Sequence, residues 1–220
     1  AMLASGSVGG LFAAASARAT VNLPATHADL IAVGATVNRN HWRAVDGAEI
    51  GFADPIGAVA EFSAAGPTST GHLKPDLVAP GAFVIGAMAL AADPRDNGGG
   101  GLFAEPSHCA VEHCHVVDDL HGVASGTSMA APLVTGAAAL LLEQDPTLHQ
   151  REIRALLQAG AESLTRSAGA ARAGAGRLDV ARSLAALSGS VDLEREPVGV
   201  SSWVVLADDF ARPGGDERLD

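Results

Sequence analysis

The chain has 220 residues, of which 48% are hydrophobic and 18% are charged, a balance that suits one packed domain and excludes a disordered segment. Its 25 acidic and 14 basic side chains give a net charge of −11, and only 4% of its residues are aromatic. Such a chain lacks the basic faces and stacking platforms with which proteins bind nucleic acid or anionic membranes. No apolar run reaches the roughly 18 residues that a membrane-spanning helix needs. We therefore expect neither nucleic acid nor a membrane among its partners.

Short apolar runs in the first half of the chain predict buried strands, because they lack the alternation typical of strands with one solvated face. The runs with this character are residues 11–15, 30–35, 58–62 and 83–86. Residues 38–55 are polar and indicate a long surface excursion. Residues 75–81 contain too many prolines for a central strand. Residues 93–121 predict a loop of unusual length, which is typical of a functional element or an insertion.

The second half of the chain predicts helices. Residues 128–143 are apolar nearly all round, which indicates a helix that is buried rather than amphipathic. Thr147 and Gln150 have the spacing of a capping box before a helix that ends at Gly160, and Asp179 can cap a last short helix. Strands followed by helices, with one central buried helix, predict an α/β domain of three layers around a mostly parallel sheet.

The composition changes near the C-terminal end of the chain. The last 30 residues carry eight acidic and three basic side chains, whereas the preceding stretch is rich in alanine and glycine. We expect one domain over residues 1–187 and an acidic extension over residues 188–220, which could be the start of another domain.

One segment points to chemistry: the heptapeptide GTSMAAP at residues 126–132, which opens the apolar helix. A serine at a helix N-terminus lies beside unpaired backbone N–H groups and the positive end of the helix dipole. Ser128 could therefore serve as a nucleophile whose own N–H donates to an oxyanion. Gly126 and Thr127 are small enough to let a substrate backbone approach. The alternative is that Ser128 is only the N-cap of the helix.

This heptapeptide resembles the nucleophile motif of the subtilisin-like serine peptidases, the subtilases. Further segments resemble parts of the same family in the same order, namely residues 23–25 with 30–35, 62–67, 74–81 and 174–179. The resemblance covers about residues 10–187 and implies the C-terminal half of a subtilisin-like catalytic domain, hence an incomplete fold. It further implies that Ser128 is the nucleophile of an Asp–His–Ser triad that cleaves polypeptides, with an extracellular or cell-envelope location. It also implies a cis bond between Leu23 and Pro24.

The chain departs from the family pattern in two ways. Residues 11–15 resemble a strand of the family's catalytic domain, and in the family both triad partners come before that strand. The resemblance therefore implies that the two partners lie on an N-terminal part absent from this chain. None of the eight histidines has suitable surroundings, and His121 is interpreted as an exposed loop residue. Ala17 stands where the family has its oxyanion asparagine, and losing one such donor costs roughly 10²- to 10³-fold in rate.

These departures bear on substrate binding and on activity. By the resemblance, Ala14 and Ser16 would line the wall of the S1 pocket, together with the substrate-binding positions Gly126 and Thr127. We expect the isolated chain to be inactive. The alternative function is a pseudo-peptidase fragment that acts as a binding or structural module.

Two features raise the question of metal ions, although no cofactor is expected to be required. Cys109 and Cys114 enclose four residues, and a local disulfide is the leading interpretation. The spacing allows a zinc site formed by both cysteines with one or two of His108, His113 and His115, but this is disfavoured because no metal-site pattern matches well; reduced thiols are the third interpretation. Subtilases often bind calcium near the turn that residues 24–30 match. The carboxylates near that turn in sequence are Asp29, Asp46, Glu49 and Asp54, for which a solvated acidic loop is the better-supported interpretation.

Overall fold

The computed structural model describes residues 18–96, 101–104 and 113–189. Strands dominate the first part: β1 (Val33–Val37), β2 (His41–Arg43), β3 (Glu49–Gly51), β4 (Leu77–Ala82), β5 (Val84–Ala87), a short 3₁₀ helix (Leu90–Ala92), β6 (Val116–Asp118) and β7 (His121–Ala124). Helices follow: α1 (Thr127–Gln144), α2 (Gln150–Gly160), α3 (Thr165–Ala168), α4 (Ala170–Ala173) and α5 (Val180–Leu187). The predicted α/β class is confirmed.

The main core surrounds a parallel pair of strands, β1 and β4. The long helix α1 packs across both strands, and α2 and α5 close the core. Single bridges extend the pair on each side, from Thr36 to Val59 and from Val78 to Arg177. The buried residues of this core include Ala35, Val37, Leu77, Ala79, Val134, Leu141 and Leu157.

Strand β4 corrects the expectation that residues 75–81 are too rich in proline for a central strand. The strand is buried and paired on both sides. Pro80 is tolerated because it lies opposite Thr36, where the register shifts before Val37. An irregular position is where a strand can accommodate a residue that has no N–H.

Two predicted loops contain regular structure. Residues 38–55 include the antiparallel β2–β3 hairpin, whose Trp42 is buried. Residues 93–121 include β6 and the first residue of β7. Strand β7 is the middle strand of a three-stranded antiparallel sheet, with β5 on one side and β6 on the other. The hairpin packs on this sheet through a second core that includes Ala44, Ile50, Cys114 and Val123. Both segments were misread because their apolar residues are few and far apart in sequence.

Helix α1 is central in the fold, but the expectation that it is buried on all sides is wrong for the described residues. Its buried residues are Ala130, Val134, Ala137 and Leu141, spaced to form a single stripe. The rest of the helix surface exposes Leu133 and Leu140 on one side of this stripe and Leu142 on the other, with 42%, 43% and 38% of each residue exposed. An apolar sequence predicts burial only where other elements cover every face, and the described residues cover one.

The remaining helices largely follow the sequence. Helix α2 ends at Gly160 as predicted, but its N-cap is His149, whose N–H donates to the Glu152 carboxylate; Thr147 bonds Asp145 instead of forming the expected capping box. Asp179 caps α5 by accepting the N–H of Arg182, as predicted. The bond between Leu23 and Pro24 is cis, as the resemblance implies. None of the helices in the described ranges combines the length and apolar character of a membrane span.

Candidate active site

Ser128 lies at the start of α1, directly after the connection from the antiparallel sheet to the main core. Strand β7 ends at Ala124, Ser125 and Gly126 form the connection, and α1 begins at Thr127. The Gly126 N–H donates to the Gly81 carbonyl over 2.8 Å, and the Met129 N–H donates to the Gly126 carbonyl over 3.0 Å. Ser128 is therefore held as the second residue of α1, at the end of the parallel pair.

The surroundings of Ser128 do not support the N-cap interpretation. The N-cap residue of α1 is Gly126, which has no side chain to cap with, and Ser128 is exposed. Among the described residues, none bonds to the Ser128 hydroxyl. A hydroxyl without a structural bond, beside N–H groups at the positive end of an 18-residue helix, is an arrangement that suits a nucleophile.

None of the described histidines is hydrogen-bonded to this hydroxyl. His121 is exposed, as predicted, but it opens strand β7 rather than lying in a loop. Strands rise roughly 3.3 Å per residue, so the far end of β7 is about 10 Å away from His121, and Ser128 lies beyond that end. The His121 ring instead pairs with Asp118 over 2.9 Å. Hydrogen bonds lower the pKa of Asp118, the largest contribution coming from the Leu120 N–H and the next from the His121 side chain.

The remaining residues of the predicted site are divided between the described and undescribed parts of the chain. Gly126 and Thr127 flank Ser128 directly, as expected. Ala14, Ser16 and Ala17 lie outside the described residues, so their assignment to the S1 wall and to the oxyanion position stays a prediction.

The cysteine loop and the acidic residues give no metal centre in the part of the chain that the structure describes. Cys114 is buried and disulfide-bonded, and Cys109 is the only other cysteine of the sequence. Asp29 pairs with Arg151 over 3.4 Å, and Asp46 accepts the N–H of Ala48. Within the described ranges, no three His, Cys, Asp or Glu side chains are grouped to bind one ion.

The turn before β1 instead contacts a buried ammonium group, which the sequence interpretation missed. The Lys74 Nζ donates to the Leu30 carbonyl and to the Asp76 carboxylate, each over 2.6 Å. Asp76 Oδ2 also accepts the Ala32 N–H over 2.7 Å. The two side chains are only 3% and 1% exposed. The sequence signal for this pair was the presence of Lys74 and Asp76, two opposite charges two residues apart, directly before the apolar strand β4.

A second ion network ties the segment after β5 to the turn between β6 and β7. Arg95 bonds the buried Asp93 through two nitrogens and reaches Asp119 over 2.9 Å. The Arg95 guanidinium lowers the pKa of Asp93, and both carboxylates raise the pKa of Arg95. Beside this network, Met88 and Phe103 pack with Met129, the residue that follows Ser128. Phe103, from the segment predicted to be a long loop, therefore shares a core with the start of α1.

Comparison with known proteins agrees with this geometry. Residues 2–176 match the Subtilase family. Over 144 residues the chain is 31% identical to "Serine protease AprX" of Bacillus subtilis, covering 65% of this chain and 27% of that protein. Over 105 residues it is 36% identical to "Subtilisin-like protease SBT1.6" of Arabidopsis thaliana, covering 47% and 12%. The solved CspB protease of Clostridium perfringens superposes with a TM-score of 0.51 at 25% identity, covering 80% of this chain and 30% of that one. The chain therefore spans only about a quarter of the length of AprX, and a smaller share of SBT1.6.

Proposed function

Because the chain belongs to the subtilase family, whose subtilisin-like fold it shares, we propose that it contributes the nucleophile of a serine endopeptidase. The observation that carries this proposal is Ser128, exposed at the N-terminal end of α1 with its hydroxyl unbonded among the described residues. In the proposed reaction the hydroxyl attacks the carbonyl of an extended polypeptide, and the Ser128 N–H donates to the resulting oxyanion.

The base and its orienting carboxylate are proposed to come from sequence that precedes residue 1 in the whole protein. Two observations support this. Among the described residues, none of the histidines is hydrogen-bonded to the Ser128 hydroxyl, and the His121 ring is paired with Asp118. The relatives are several times longer than the stretch this chain matches, so the whole catalytic domain has room for further elements.

The exposed side of α1 supports the same division. From Thr127 to Leu142 the helix carries no charged residue, yet Leu133, Leu140 and Leu142 are exposed. An exposed surface without charges and with several exposed leucines is typical of an interface. We assign it to the proposed N-terminal part, which would cover the helix and bring its histidine to Ser128.

The location proposed for the protein is extracellular or in the cell envelope. The disulfide-bonded Cys114 supports it, because disulfides persist mainly in oxidising compartments. Calcium is not assigned a role, since the turn before β1 is held by the Lys74 ammonium.

The experiment that tests the function uses a fluorophosphonate probe, which labels activated serines covalently. The 220-residue chain is assayed alone and after addition of the preceding part of the protein, with Ser128→Ala as the matched control. We expect labelling and peptide hydrolysis only in the complemented form and only with Ser128 present. Labelling of the chain alone at the complemented rate would contradict the division of the site.

A second function is favoured by one observation, the alanine at position 17 where the family has its oxyanion asparagine. A pseudo-peptidase would keep the fold and bind a partner without cleaving it. Absence of labelling in the complemented form, with the Ser128 segment folded, would favour this function over the peptidase.

A further inference from the structure

Two backbone hydrogen bonds connect the end of β4 to the segment just before Ser128. The Gly126 N–H donates to the Gly81 carbonyl over 2.8 Å. The Phe83 N–H donates to the Ser125 hydroxyl, also over 2.8 Å. The contact is tight, because a Cβ added to Gly81 would lie 2.9 Å from the Gly126 carbonyl oxygen. The residues before Ser128 are therefore attached to β4 and to the residue that follows it.

Phe83 holds its end of this connection in a backbone conformation that phenylalanine rarely adopts. Its φ is +55°, in the left-handed region that favours glycine. Such a conformation persists where the surrounding structure fixes it, and it is found most often at functional sites. Here it directs the Phe83 N–H toward Ser125.

What fixes Phe83 is a stack of aromatic rings. Its ring centroid lies 4.7 Å from that of Phe52 and 5.4 Å from that of Trp42. The Trp42 ring is itself anchored, since its Nε1–H donates to the Cys114 carbonyl over 2.7 Å. The β2–β3 hairpin therefore supports Phe83 from outside the main core. Phe83 also packs against that core, so it joins the two.

We propose that Ser125, bonded to the Phe83 amide, is a positioning residue for Ser128. Its hydroxyl fixes the segment from which α1 begins, and thereby the direction of the Ser128 hydroxyl and N–H. Catalysis depends steeply on such placement, because small displacements of reacting groups cost large factors in rate. This inference rests on the proposed function for its catalytic consequence, whereas its structural part does not.

The test compares Ser125→Val with Ser125→Thr in the complemented protein. The two variants have side chains of nearly equal size, and only threonine keeps the hydroxyl that accepts the Phe83 N–H. With Ser125→Val we expect about a tenfold lower kcat and labelling rate, the size expected from one ordinary hydrogen bond. KM for a peptide should change by less than about twofold, because the hydroxyl is not assigned a contact with substrate. Ser125→Thr should restore most of the rate.

Amide hydrogen exchange of the same variants separates this inference from the proposed function. In Ser125→Val the amides of Phe83 and Gly126 should exchange faster than in Ser125→Thr, at matched overall stability. Unchanged exchange, or faster exchange with an unchanged labelling rate, would overturn the positioning role. If the parent protein is never labelled, the peptidase function fails, and the exchange comparison alone decides whether Ser125 orders the segment.

Discussion

Replacing Lys74 by methionine should destabilise the protein more than any exposed charge substitution. The ammonium lies 2.6 Å from the Asp76 carboxylate, and both side chains are almost fully buried. Methionine fills similar space but leaves a buried carboxylate without its cation, and removing one partner of a buried pair costs ~3–5 kcal/mol. The Leu30 carbonyl loses its bond to Nζ at the same time. Because domains are stable by only about 5–15 kcal/mol, this loss is a large share of the total.

The assay is equilibrium unfolding in urea, followed by circular dichroism, with the m-value checked for constancy. Glu162→Gln is the matched control, because the pair of Arg177 with Glu162 is 36% and 53% exposed and should be worth at most about 1 kcal/mol. The double variant Lys74→Met/Asp76→Asn has no unpaired buried charge at this site and should recover part of the lost stability. A double-mutant cycle then measures the interaction free energy between the two side chains. A Lys74→Met variant within about 1 kcal/mol of the parent protein would refute the reasoning.

Three further predictions concern the antiparallel sheet and the hairpin on it. Arg95 lowers the pKa of Asp93 below its ordinary 3.8, so the stability that Asp93 contributes is present above that pH and is lost below it. The difference in unfolding free energy between the parent protein and Asp93→Asn should therefore shrink as the pH falls through about 4. A difference that stays constant with pH would count against the ion pair. Gly122→Ala should lower the melting temperature through a loss of about 1–3 kcal/mol, because the new Cβ would lie 2.3 Å from the Phe103 ring; Gly86→Ala, where the space is open, is its control. Trp42→Phe should cost about 1 kcal/mol by removing the hydrogen bond that Nε1–H donates to the Cys114 carbonyl, and a neutral result in the same unfolding assay would contradict a stabilising role for this bond.

The sequence was most informative where structure is set by neighbouring residues. The start of α1, the end of α2 at Gly160 and the Asp179 cap of α5 all depend on a few consecutive residues, and all were predicted. The heptapeptide around Ser128 likewise placed the candidate nucleophile at a helix N-terminus.

The sequence was least informative where structure depends on distant partners. Pro80 argued against a strand because its irregular position opposite Thr36 is visible only once β1 and β4 are paired. The apolar residues of α1 indicated burial on all sides, but the described residues provide one packing surface. Trp42 entered a core through contacts with residues about 40 and 70 positions away, which no local pattern reveals.

The most direct test of the central claim is to identify the serine that becomes covalently modified. The complemented protein is treated with the fluorophosphonate, digested, and analysed by mass spectrometry for the residue that carries the adduct. We predict that the adduct lies on Ser128, within the peptide that contains residues 126–132, and that Ser128→Ala abolishes both the adduct and peptide hydrolysis. An adduct on another serine, or hydrolysis that persists in Ser128→Ala, would contradict the account.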